Sequence, residues 1–174
     1  MKCLAINTAG TTLSIAIVEN DNCLYLFEEA ERKGQGNKLI GYIEKALSET
    51  KTAFTDIDLM AVATGPGSFT GIRVGIAAIR GFALASKINI SGVSSFDIYA
   101  SPSKDKLNII AMESWREELY FAFKGADGTD VLEAVNISPS KIKEYLAQNN
   151  LDANNMLISG DAAYKLKDIL PDAE

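Results

Sequence analysis

Along this chain, strand-length apolar runs and helix-period runs follow one another in a fixed order, and the order occurs twice. Lys2–Ile6, Leu13–Val18 and Cys23–Glu28 are short and rich in apolar residues, with polar turns at Asn7–Thr12 and Glu19–Asn22 between them. They predict three successive strands joined by hairpins. Asn37–Thr50 carries Leu39, Ile40, Ile43, Ala46 and Leu47 at helical spacing, which predicts a helix. Leu59–Ala63 is a continuous apolar run, as in a strand covered on both faces. Thr70–Ser86 predicts a second helix, Ile90–Val93 a brief strand and Ser95–Ala100 a helical turn. Beyond a polar linker, Ser101–Asp105, the pattern restarts with strands at Leu107–Met112, Leu119–Phe123 and Val131–Asn136. A helix capped by Ser138, with Pro139 at its first position, runs to about Gln148. Met156–Ser159 is a last strand, Gly160 a turn, and Asp161 opens a closing helix to about Leu170.

Two βββαβα units make an α/β protein of two lobes, 1–100 and 101–174, the layout of the actin, Hsp70 and sugar-kinase (ASKHA) superfamily. A first strand close behind Met1 predicts a fold that begins at the terminus, without a signal peptide, and the apolar runs read as far short of a bilayer span.

Several kinds of chemistry are excluded by composition. The chain has no histidine, so Ser-His or Cys-His nucleophile pairs and His-bearing metal sites are out of reach. Net charge is −6 and the largest Lys/Arg cluster is Arg32-Lys33, which argues against unaided RNA binding, where phosphate neutralisation dominates. Cys3 and Cys23 lie in apolar runs and predict two reduced core thiols of a cytosolic protein. Among the acids, Glu28, Glu29 and Glu31 form a solvated run, Glu117-Glu118 mark a turn, and Asp97 and Asp161 sit where a carboxylate complements a helix start. Trp115 and Tyr120 read as packing residues. Arg73 and Arg80 share one face of the second helix and are suited to salt bridges across an interface.

The most specific stretch is Gly65-Pro66-Gly67-Ser68-Phe69-Thr70-Gly71-Ile72-Arg73-Val74-Gly75. Its glycines allow a tight turn, and Ser68 or Thr70 can cap the helix behind it. Such a turn either ends a strand or binds an anion at a helix start, and no Gly-Lys-Ser/Thr follows to make it a Walker A loop. Gly71, Gly75, Ala78, Gly81 and Ala85 are small residues inside a helix, where each glycine costs about 1 kcal/mol relative to alanine. They predict a close approach by another backbone, that of this chain's own sheet, of a partner, or both.

That segment, with Leu4-Ala5-Ile6-Asn7-Thr8 and Gly92-Val93-Ser94-Ser95, resembles the TsaB family, formerly called YeaZ. The likeness is strong over the first hundred residues and weaker after them. The resemblance implies a non-catalytic dimerisation subunit, cytoplasmic and away from membranes, that activates a TsaD-like catalytic subunit. A TsaE-like ATPase joins the pair, which forms N6-threonylcarbamoyladenosine in tRNA next to the anticodon. It implies no firmly bound cofactor, with ATP and Mg used through the other subunits, tRNA met only through the complex, and a homodimer in isolation. The family's interface comes from its first two helices, here Leu39, Ile40, Ile43, Leu47, Gly71, Arg73, Val74, Gly75 and Ala78. Leu39, Ile43, Leu47, Val74 and Ala78 are therefore expected on a partly exposed apolar surface.

Departures from the family concern the chemistry and the second lobe: members usually extend further, so the resemblance implies a truncated second lobe. Where catalytic relatives carry an Asp after the first strand, this chain has Asn7, which lacks the charge a hard divalent cation favours. Asn7, Thr8, Gly10 and Thr11 could surround a phosphate as a vestigial nucleotide site, but a polar turn between two strands calls for such residues in any case, and the structural reading is preferred. The family's Asp-Ala-Arg is Glu113-Ser114-Trp115 here. The alternative reading is an ASKHA-type phosphotransferase or ATPase; a peptidase is disfavoured by the missing histidine.

Overall fold

The computed structural model describes residues 1–30, 35–101, 105–152, 156–171 and 173. The expected loop Glu31–Gly34, with Arg32 and Lys33, and residues 102–104 of the expected linker lie outside the described residues. The chain divides into two compact units, Met1–Ser95 and Phe96–Glu174.

In the first unit, β1 (Lys2–Asn7), β2 (Leu13–Glu19) and β3 (Asn22–Glu29) form an antiparallel meander. Helix α1 (Gln35–Glu49) leads to β4 (Leu59–Ala63), and α2 (Phe69–Ser86) to β5 (Asn89–Val93). Both late strands run parallel to β1, giving the order β3-β2-β1-β4-β5. Alternation along the strands sends Leu4 and Ile6, Ile15 and Ile17, and Met60 and Val62 to one face, paired in register. There they form one core with Leu39, Ile43 and Ala46 of α1 and Ile79 of α2. The opposite face is thinner: Leu26 on β3 is exposed, and Cys3 is half-buried, its thiol pKa raised by burial. Cys23, expected in the core, is exposed instead. It lies in edge strand β3 beside the bulge at Ile17/Val18, where the alternation resets.

The second unit opens on α3 (Ser95–Tyr99), which begins at the division between the units. Strands β6 (Leu107–Met112), β7 (Leu119–Lys124) and β8 (Asp130–Ile137) repeat the antiparallel meander, and β9 (Met156–Ser159) pairs parallel with β6. The order β8-β7-β6-β9 is that of the first sheet without a fifth strand. One face buries Ile109, Ala111, Phe121 and Phe123 against Ile142 and Leu146. The other packs Ile110, Met112 and Ala122 on Phe96 and Tyr99.

Helix ends in this unit depart from the sequence pattern. Ser138 makes no side-chain cap; its hydroxyl pairs with Ser140, and Pro139–Lys141 is a 3-10 turn before α4 (Ile142–Gln148). The helix expected from Asp161 to Leu170 is only a 3-10 turn at Ala163–Leu166. The Asp161 carboxylate accepts from the Glu113 amide at 2.9 Å and so joins the segment to the end of β6. Asp97 does lie in the first turn of α3, as expected of a carboxylate at a helix start, and it also pairs at 2.7 Å with Lys124. Trp115 is exposed, in a left-handed turn at φ 58°, and is no packing residue, whereas Tyr120 packs in the small cluster.

The Lys124 ammonium is almost buried and also meets Asp130 at 2.8 Å. Burial opposes its charge, but hydrogen bonds to Asp130 and Asp97 and their negative charge outweigh it and raise its pKa. A raised folded-state pKa means that this stabilisation is complete below the ordinary lysine value of about 10.4 and disappears above it. Thermal melts of wild type and Lys124→Met should therefore differ by a constant amount from pH 7 to 9. Wild type should lose stability relative to the variant as pH rises above about 10.4.

Candidate functional site

The turn after β4 brings α2 onto the end of β1. Gly65 has φ 96° and Gly67 φ 151°, left-handed backbone that a side chain disfavours. Ser68 then caps α2, its hydroxyl accepting from the Gly71 amide at 3.2 Å. From this corner the Ser68 amide donates to the Ala9 carbonyl at 2.7 Å, and the Thr8 hydroxyl to the Gly71 carbonyl at 2.7 Å. A Cβ at Gly67 would overlap the Ala9 carbonyl, at Gly71 the Thr8 carbonyl, and at Gly75 the Thr8 hydroxyl. Three glycines thus bring α2 into backbone contact with the β1–β2 turn.

This contact occupies the loop weighed as a vestigial nucleotide site. Asn7, Thr8 and Gly10 are buried and Thr11 half-buried. The Asn7 side-chain oxygen accepts from the Ala9 amide at 2.9 Å, and Thr8 is committed to α2. These groups close the protein on itself. The second unit repeats the device, since a Cβ at Gly160, after β9, would overlap the Ala111 carbonyl in β6. Among the described residues, no three His, Cys, Asp or Glu side chains gather where a metal ion could be held.

The expected partner-binding residues separate into three groups. Leu39, Ile43, Gly71 and Gly75 are buried and do not form a surface: the two large ones belong to the core, and the glycines lie against Thr8. Leu47, Val74 and Ala78 are half-buried and pack on that core. Ile40, 44% exposed, and Arg73 face outward. An apolar stripe at helical spacing marks the face that packs, and here it packs on the chain's own sheet.

The outer face of α2 holds Arg73, Arg80, Gly81 and Ala85, which the sequence singled out, together with two large apolar residues that it did not. Phe69 is 67% and Leu84 82% exposed, and between them Arg73, Ala77, Arg80 and Gly81 are also exposed, with Ala85 beyond. The helix is long and apolar enough to cross a membrane by composition, yet only 11% of it is buried. Its contacts through Gly71, Gly75 and Ile79 lay it along the sheet. The Arg73 guanidinium stacks 3.6 Å from the Phe69 ring centroid. Among the described residues, a Cβ at Gly81, or at exposed Gly41 in α1, would meet no atom within 4 Å beyond its chain neighbours and its own helix backbone. Neither helical glycine is required by contacts within the chain.

Comparison with known proteins names the fold. The family model for TsaD, the tRNA N6-adenosine threonylcarbamoyltransferase, matches residues 28–172. The chain is 30% identical over 156 residues to the tRNA threonylcarbamoyladenosine biosynthesis protein TsaB of Escherichia coli K12, covering 90% of this chain and 58% of that protein. The chain belongs to the TsaB (YeaZ) family. TsaB of Buchnera aphidicola from Schizaphis graminum is 31% identical, over 85% of this chain and 62% of its own length. The chain thus spans about three-fifths of these TsaB proteins. Among solved structures, a Pseudomonas aeruginosa protein described as similar to peptidase YeaZ superposes with TM-score 0.76 at 20% identity, covering 90% of this chain and 74% of its own. P. aeruginosa YeaZ gives 0.70 at 21%, covering 80% and 68%. A Bacteroides thetaiotaomicron protein described as having an actin-like ATPase fold superposes with TM-score 0.51 at 10% identity, covering 99% of this chain and 89% of its own, in keeping with the actin-like fold expected from the element order.

The two sets of glycines in this TsaB-family chain should respond oppositely to alanine. Gly71→Ala should destabilise by about 3 kcal/mol or more, since β1 or α2 must shift. Gly81→Ala should stabilise the isolated chain by up to about 1 kcal/mol, the propensity difference. Urea denaturation of both variants measures this directly.

Proposed function

We propose that this chain is a non-catalytic pairing subunit in the formation of N6-threonylcarbamoyladenosine in tRNA. In this reading it docks a TsaD-type catalytic subunit through the outer face of α2 with the adjoining part of α1, and activates it. One observation carries the reading: a helix held to its sheet by backbone contact leaves Phe69 and Leu84 bare on its other side. Covering each would contribute about 1.5–3 kcal/mol, and exposed Gly41 and Gly81 let a partner backbone come near. The name of the E. coli relative and the TsaD family match support the pathway.

The remaining parts of the complex follow from the same reading. A TsaE-type ATPase supplies the nucleotide chemistry, and tRNA is reached through the assembly, in keeping with a net charge of −6. A tRNA substrate in turn points to the cytoplasm. Without the catalytic subunit, the same face pairs two copies of this chain. The commitment of Thr8 and Asn7 to internal hydrogen bonds supports a non-catalytic role over a phosphotransferase or ATPase.

Size-exclusion chromatography with the TsaD-type subunit of the same organism tests the proposal. Wild type should co-elute with it, and tRNA modification should require this chain. Leu84→Asp should keep its fold by circular dichroism and lose both pairing and modification. Normal assembly of a folded Leu84→Asp chain would refute the assignment.

A further inference from the structure

The charges on α2 are opposite in sign to the net charge of the chain. The protein carries a net −6, yet α1 and α2 together hold four cations, Lys38, Lys45, Arg73 and Arg80, against two carboxylates, Glu44 and Glu49. All six are exposed. Lys45 and Glu49 pair with each other at 3.7 Å, and Lys38 lies 3.8 Å from Glu29. Arg73 and Arg80 are the only charges on α2, and neither forms an ion pair among the described residues. Seven residues separate them, two helical turns or about 10 Å along one face, on either side of exposed Ala77. Arg73 is held over Phe69, so one cation is fixed beside the apolar anchor.

A two-fold contact between copies brings this surface against itself. With the two α2 helices antiparallel about a point midway between the arginines, Arg73 of one copy meets Arg80 of the other. With the helices parallel, each arginine meets its own counterpart. Either arrangement brings like charges together over a dry apolar seam, where they are poorly screened. A helix from another protein, with carboxylates at matching positions, turns the same two charges into attraction.

We propose that the α2 outer face is built for a carboxylate-bearing helix of a different chain, and that Arg73 and Arg80 select that partner over a second copy of this one. The inference rests on the pairing role proposed above and adds the chemistry by which the partner is chosen. Apolar anchors supply area, and the two guanidinium groups supply discrimination, a division common at specific interfaces.

Two equilibria test it, both with the full chain: self-association by analytical ultracentrifugation, and binding to the TsaD-type subunit of the same organism by calorimetry. Raising NaCl from about 50 to about 500 mM, which shortens the screening length severalfold, should weaken the mixed pair and strengthen the self-pair. Arg80→Glu should weaken the mixed pair by about tenfold and strengthen self-association by a similar factor, because the introduced carboxylate of one copy would then face Arg73 of the other. Both sites are exposed, and the salt series needs no variant. If the mixed pair forms and is lost with Leu84→Asp, yet salt and Arg80→Glu move both equilibria in the same direction or not at all, the charge assignment is wrong and the pairing role stands. If no mixed pair forms, both are wrong.

Discussion

The carbonyl oxygens of Thr8 and Ala9 have no room for a side chain opposite them, and the rest of the first unit is arranged around that restriction. Gly67, Gly71 and Gly75 let the start of α2 rest on the β1–β2 turn, and Ser68 closes the corner by capping the helix and donating its amide to Ala9. Once the helix is held there, Ile79 falls into the core and Arg73, Ala77, Gly81 and Leu84 must face away from it. The orientation of the outer face thus follows from the packing of the inner one. The same contact uses the polar groups of a turn that could otherwise have met a phosphate.

Much of the fold was legible because its signals are local. Apolar runs bounded by polar turns located every strand among the described residues, and the order of elements implied two related units. Helix ends were less legible. The segment after Gly160 has an apolar composition suited to a helix, but Asp161 is drawn to the Glu113 amide and the chain continues as turns. Ser138 likewise has the identity of a cap, while its hydroxyl is engaged by Ser140.

The candidate site was legible only at the level of elements. Both helices were identified, but the stripe Leu39, Ile43 and Leu47 is the core stripe, because helical periodicity reports which side packs without saying against what. The outer face gave a weaker signal: glycine in a helix with no turn nearby, at Gly41 and Gly81, and large apolar residues out of phase with the stripe, at Phe69 and Leu84. Gly71, Gly75 and Gly81 look alike in sequence. Only the positions of Thr8 and its carbonyl distinguish glycines that serve the sheet from the one that does not.

Hydrogen–deuterium exchange of the chain alone and with the TsaD-type subunit tests most directly whether the two sides of α2 have separate tasks. New protection should appear in peptides spanning Leu39–Ser48 and Phe69–Ala85, while β6 and β7 of the second unit exchange as before. Protection that falls on the second unit and spares α2 would contradict the account.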